Sequence, residues 1–238
     1  MLSQVNHWME FVGAGIDLLL LLRVLTLKLH RTYLFITLAC VLSVFFDAIA
    51  LWLGTDSDES RRVFFYSKFL DAVVFPAAAW DVFEELKSQL ANLRKMAISR
   101  TITSLLLVTL FGVVLAGFAE NGTSPNDMAF LSVLSLVIWT GSATGSLAFL
   151  WVMHRGLRAQ KLEPPNNTFV WMIFYELSLI GEVLYCFYLL VEPVFNSLVA
   201  DSLILLLMIY GTVITAWCIL RLRALPSDVT PAPVNAGL

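Results

Sequence analysis

The sequence predicts an all-α protein, a polytopic membrane bundle of seven transmembrane helices. The N-terminus is expected outside and the C-terminus in the cytoplasm. Three observations predict this. First, 59% of the 238 residues are hydrophobic and only 14% are charged, against about a quarter charged in an ordinary soluble domain; the mean hydropathy is +0.81. Second, the apolar residues gather into seven runs, each close to the ~20 residues that cross a hydrocarbon core. Third, lysine and arginine are shared very unevenly between the links, and positive links stay on the cytoplasmic side.

The chain can be taken in order. Span one covers about residues 8–27 and carries Glu10, Asp17 and Arg23. No lysine or arginine precedes Arg23, so the charged start of a signal peptide is missing and the span is expected to be retained. The short link Lys28, Leu29, His30, Arg31 leads to span two, about residues 32–53, with Asp47 inside it. A polar loop precedes span three, about residues 63–83, which holds Lys68, Asp71, Pro76 and Asp81 in one apolar stretch. The mixed charges of residues 84–100 suit a helix that continues into solvent. Span four, about residues 102–118, is uncharged. A loop rich in turn formers, residues 119–127, leads to span five, about residues 128–153. Spans six and seven cover about residues 169–191 and 199–220. Residues 1–223 therefore read as one membrane domain, and the tail at 224–238 reads as disordered by composition.

The first, third and fifth links with the tail contain Lys28, Arg31, Lys87, Arg94, Lys95, Arg100, Arg155, Arg158, Lys161, Arg221 and Arg223. The opposite side has Arg61 and Arg62. That asymmetry requires an odd number of spans. Tryptophans agree, with Trp8 and Trp52 near the outer interface and Trp80, Trp151, Trp171 and Trp217 near the inner one. Trp139 is at mid-depth instead.

Ionisable groups inside spans are rare and mark candidate sites, since each costs on the order of 3 kcal/mol at the bilayer centre. The candidate polar site comprises Asp17, Asp47, Lys68, Asp71, Glu176 and Glu182. Lys68 and Asp71 are three apart and share a helix face. Two readings are open. The cluster is either an outward-facing polar pocket or ion path, or a set of structural ties. In the second case Lys68 pairs with Asp71 or Asp47, and Arg23 with Glu176 or Asp81. Pro76 removes a backbone donor and predicts a kink. In span five, Gly141 and Gly145 form a small-xxx-small pattern that suits close helix packing. With Trp139 they are also candidates for lining an apolar-ligand cavity.

No cofactor is expected. His7, His30 and His154 sit at span ends, which disfavours a haem held within the bilayer. Cys40, Cys186 and Cys218 form no metal-binding spacing and no disulfide framework. The basic residues form no run of the kind that binds nucleic acid. Membrane lipid is an expected partner, together with another protein or a second copy of the chain.

Span three resembles that of the microbial rhodopsins, whose basic residue, counter-ion, proline and proton donor are echoed by Lys68, Asp71, Pro76 and Asp81 with one residue missing. Trp171 and Gly181 keep a similar spacing in span six. That family holds retinal on a lysine of span seven, and residues 199–220 contain none, so retinal is not expected. Tyr66, then Trp80, Asp81 and Phe83, then the basic link at 84–100, resemble an uncharacterised bacterial family of seven-helix integral membrane proteins, mainly over spans two to four. That resemblance implies a multi-pass protein of the bacterial cytoplasmic (inner) membrane and no known chemistry. Three functions are compatible with these residues: a non-enzymatic sensor, receptor-like or accessory subunit; a small proton- or cation-coupled transporter; and a membrane enzyme acting on lipid. The chain reads more readily as a non-enzyme.

Overall fold

The computed structural model describes residues 2–54, 57–90, 95, 98–99, 102–103, 106, 127–191 and 195–225. Among these the chain is all-helical. The helices are α1 (Leu2–Thr26), α2 (Leu34–Leu53), α3 (Asp58–Leu90), α4 (Asp127–Gln160), α5 (Asn166–Val191) and α6 (Ser197–Arg221). A single 3-10 turn, Leu29–Arg31, joins α1 to α2. Most of the fourth expected span, the loop at 119–127 and the tail from 226 lie outside the described residues. Ile102, Thr103 and Leu106, at the start of that span, are helical.

Five helices are long and apolar enough to cross a membrane, namely α2 to α6 over Leu34–Leu53, Glu59–Lys87, Leu134–Gln160, Asn166–Leu189 and Ser197–Arg221. α1 is 25 residues long but is outside this set, diluted by Glu10, Asp17 and Arg23. Several helices outrun the spans expected for them. α3 covers 33 residues, about 50 Å at the usual rise per residue, because nothing stops the backbone ladder where the hydrocarbon ends. Past that point Lys87 pairs with Glu84 one turn back on the exposed face.

Local chemistry sets the helix ends. Gly54 has φ +78°, a conformation glycine adopts without strain, and it closes α2 with its N–H on the Ala50 carbonyl. After α4, Lys161 takes a left-handed φ of 52°. The N–H of Leu162 then returns 3.0 Å to the Leu157 carbonyl and that of Lys161 to Arg158, which satisfies two of the end carbonyls. Asn196 caps α6 by accepting from Val199 N at 2.9 Å. Pro76 sits inside α3 and leaves the Ala72 carbonyl without its helical donor; the Ser142 hydroxyl of α4 supplies one.

Each helix packs on the next, α1 on α2, α2 on α3, α3 on α4, α4 on α5 and α5 on α6, and α6 closes the ring against α1. α3 also reaches across to α5. Side-chain contacts give the directions. Asn6 meets the Asp201 carbonyl and Arg23 meets the Leu222 carbonyl, so α1 and α6 run parallel. Ser142 meets Ala72 and Phe149 meets Phe83, so α3 and α4 also run parallel. The other neighbours are antiparallel.

The buried core is concentrated at one end of this ring, the end that carries Lys28, Arg31, Arg155, Arg158, Arg221 and Arg223 and is called the basic end below. Leu20, Val24, Tyr33, Ile36, Val82, Leu86, Leu150, Met153, Trp171, Met172, Leu179 and Cys218 meet there. Elsewhere large apolar side chains point outward, among them Trp52 (84% exposed), Val73 (68%), Leu206 (62%) and Val213 (60%). A continuous apolar exterior of this kind needs a hydrocarbon surrounding.

Candidate functional site

Toward the far end of the ring, polar side chains from five helices converge on Lys68. One turn of α3 separates Lys68 from Asp71, and Nζ lies 3.1 Å from Oδ2. α5 brings Glu182, whose Oε2 lies 3.9 Å from the same Nζ. α4 supplies Trp139, fully buried, with its indole 4.1 Å beneath Nζ. Phe64 adds a second ring face at 5.0 Å. The ammonium thus sits between two carboxylates and two π-faces, both favourable surroundings for a cation withdrawn from water. Its side chain is 12% exposed, against 26% for Asp71 and 31% for Glu182. The lysine is therefore the inner partner and the acids form the rim.

Asp17 of α1 accepts from the Ser43 hydroxyl of α2 at 2.6 Å. Asp47, one turn further along α2, lies within electrostatic reach of Asp17 and Lys68, and Glu182 within reach of Asp17. Two buried polar atoms here have no hydrogen-bond partner, Asp47 Oδ2 and Trp139 Nε1. Around Trp139 the aromatic lining continues: Tyr185 meets its edge at 5.9 Å and stacks on Tyr188 at 6.0 Å. Thr140 and Cys186 touch beside it, linking α4 to α5. Asp71 and Glu182 meet the ammonium while Asp47 and Asp17 lie beyond them, so the site holds more acceptors than its one ammonium can use.

Five of the six expected polar residues are thus brought together: Asp17, Asp47, Lys68, Asp71 and Glu182. Glu176 is not among them. It lies at the basic end, where its two oxygens are 2.8 and 3.0 Å from His154 Nδ1. No family model, curated protein or solved structure matches this chain. Roles for these residues therefore rest on their geometry.

The remaining charges at the basic end serve the backbone. Asp81 Oδ2 accepts from the N–H groups of Phe35 at 2.6 Å and Ile36 at 2.9 Å. These are orphan donors of the first turn of α2, so an aspartate of α3 caps a neighbouring helix. Arg23 Nη2 donates to the Leu222 carbonyl at 3.0 Å, past the last turn of α6, where a cation meets the negative end of the helix dipole. Neither Arg23–Glu176 nor Arg23–Asp81 pairing, expected from the sequence, is formed, because each of the three has a nearer partner. Asn167 holds Arg223 from both sides, accepting from its N–H at 2.9 Å and donating to its carbonyl at 2.8 Å. Tyr33 and Thr168 join α2's entry to α5 through their hydroxyls at 3.0 Å.

Gly141 and Gly145 are both buried in α4, on the helix that packs against α3 and α5. On α5, Gly181 allows a close approach that helical periodicity alone does not mark. A Cβ there would lie 3.0 Å from the ring of Tyr210, itself pinned by its hydroxyl on the Leu177 carbonyl at 2.9 Å. Phe64, Tyr185 and Ser43 also join the site unannounced. Tyr185 could have been found, since it stands three residues after Glu182 on one helix face.

Proposed function

We propose that the chain is a receptor-like or accessory protein of a bacterial cytoplasmic membrane that receives an event at the Lys68 cluster and passes it to a protein partner, which can be a second copy. In this reading it crosses the membrane seven times, with the basic end in the cytoplasm. The parallel pairing of α1 and α6 supports an odd number of crossings. The parallel pairing of α3 and α4 supports a return crossing between them, for which the apolar run at 102–118 has a suitable length.

The observation that carries the functional reading is the Lys68 junction itself. One ammonium is shared between Asp71 on its own helix and Glu182 on α5. Any ligand or proton that takes one carboxylate leaves the other to hold the lysine, and so biases how α3 packs on α5. α3 then runs on without a break, past Pro76 and its bond to Ser142, to Leu90. It is a direct mechanical link from the cluster to the cytoplasmic side.

A second reading, a small proton- or cation-coupled transporter, draws support from the surplus of Asp17, Asp47, Asp71 and Glu182 over Lys68. One experiment separates them. A photo-crosslinking amino acid at exposed Lys87 is introduced into the full chain in native membranes. The receptor reading expects one defined product, altered in yield by Lys68→Met. A partnerless protein whose proteoliposomes move protons or sodium, and stop doing so in Asp71→Asn, overturns it and establishes the transporter.

A further inference from the structure

Between α3 and α4, away from the Lys68 cluster, lies a cavity of about 140 Å³ lined by Pro76, Ala79, Trp80, Ile98, Ile102, Ser146 and Phe149. We infer that it is a binding site for a small apolar molecule, ring-sized and bearing one oxygen that meets the Ser146 hydroxyl.

The size argument is direct. An engineered apolar cavity of about 150 Å³ takes benzene or xenon and stays dry, so a ring of six to ten heavy atoms matches this space. The polarity argument singles out Ser146. It is 1% exposed, and its Oγ is buried without a hydrogen-bond partner. A buried hydroxyl in that state costs about 1–3 kcal/mol, and an occupant with one oxygen relieves it. Among the other lining side chains only the Trp80 indole carries a polar atom, so a water would have at most two side-chain partners, the minimum for an ordered one. An organic occupant suits the lining better than water does.

Two features show why the cavity exists and where it opens. Pro76 lines it directly, and the Ser142 hydroxyl one turn away is already spent on the Ala72 carbonyl that the proline frees. Ser146, the next hydroxyl along the same face of α4, has no such carbonyl to take. The rim consists of Trp80, 36% exposed, and Ile102, 51% exposed, beside an α3 segment apolar enough to cross a membrane. The occupant therefore enters from the bilayer, and an apolar solute already concentrated there reaches it.

The test uses the full chain in lipid nanodiscs with two photolabels small enough for this space, 3-phenyl-3H-diazirine and the alcohol that carries one hydroxyl on its ring. The expected result is saturable labelling of Trp80 and Phe149, located by mass spectrometry of the digested protein. The alcohol should saturate at about fivefold lower concentration, the worth of one hydrogen bond. Ser146→Ala removes an unpaired hydroxyl and so leaves the fold intact; it should erase the difference between the two labels. Ser146→Leu fills the space and should abolish both. Labelling that does not saturate, or that matches lipid-facing Val73, overturns the site. Saturable labelling in which Ser146→Ala leaves the alcohol's advantage unchanged overturns the role of the hydroxyl.

Discussion

The two ends of this helical ring use polar residues in opposite ways. At the basic end Asp81, Arg23 and Asn167 are spent on main-chain groups of neighbouring helices. Asp81 caps α2, Arg23 meets the last carbonyls of α6, and Asn167 clamps Arg223. Around them the apolar core is densest. At the far end charges meet charges, and their acids reach the rim. A group bonded to backbone has one arrangement available. A lysine shared between carboxylates of two helices has several, differing by little. The first end ties its charged side chains to main chain, and the second ties them to one another.

Substitutions can break or sharpen that contrast. The largest effect is expected at Asp81, where Asp81→Ala strands two buried N–H groups of α2 and should lower stability by about 3 kcal/mol, read as a fall in Tm in nanodiscs. Should Asp81→Ala unfold no earlier than the parent chain, the trans-cap carries no weight. Next is Lys68→Met, expected to lower stability by about 2 kcal/mol by leaving Asp71 and Glu182 facing each other, with Lys68→Met/Asp71→Leu regaining at least half of the loss. A double variant no more stable than the single one removes the ion pair from the account. Asn167→Ala deletes a two-way clamp and should remove about 1.5 kcal/mol, with faster amide exchange at Arg223 as its local signature; unchanged exchange there contradicts the clamp. The smallest effect is expected at the far end. Asp47→Asn takes away an unpartnered charge near Asp17 and should change Tm by less than the equivalent of about 0.5 kcal/mol, in either direction. A loss as large as that at Asp81 would mean that the two ends are not different after all.

What could be read from the chain beforehand divides along the same line. Lys68 and Asp71 were legible because both partners are side chains on one helix, three residues apart, and helical periodicity alone places them together. The convergence of Asp17, Asp47 and Glu182 was legible as depth, since carboxylates near the same level of a ring must approach one another. The basic end was opaque. The partners of Asp81 and Arg23 are main-chain groups, and every residue carries those, so no letter marks the N–H of Phe35 or the carbonyl of Leu222 as the one awaiting a charge. His154 and Glu176 were visible singly, but their meeting depends on the rotation of α4 against α5. Similarly, Pro76 announced a kink, while the repair by Ser142 and the space left at Ser146 depend on how α4 sits beside it. The apolar runs foretold where helices lie, and the mixed charges from residue 84 foretold that the third helix continues past its span. α3 and α4 extend beyond their runs because charged residues after Phe83 and Met153 continue a helix as readily as apolar ones.

The closure of the ring by α1 against α6 also fixes an order of assembly. Arg23 and Leu222 are 199 positions apart, and synthesis at about 5–20 residues per second separates their appearance by roughly 10–40 s. Throughout that interval the Arg23 guanidinium has no such acceptor, because the carbonyl it meets has not yet been made. The last helix to emerge is therefore the one that closes the ring and settles the first.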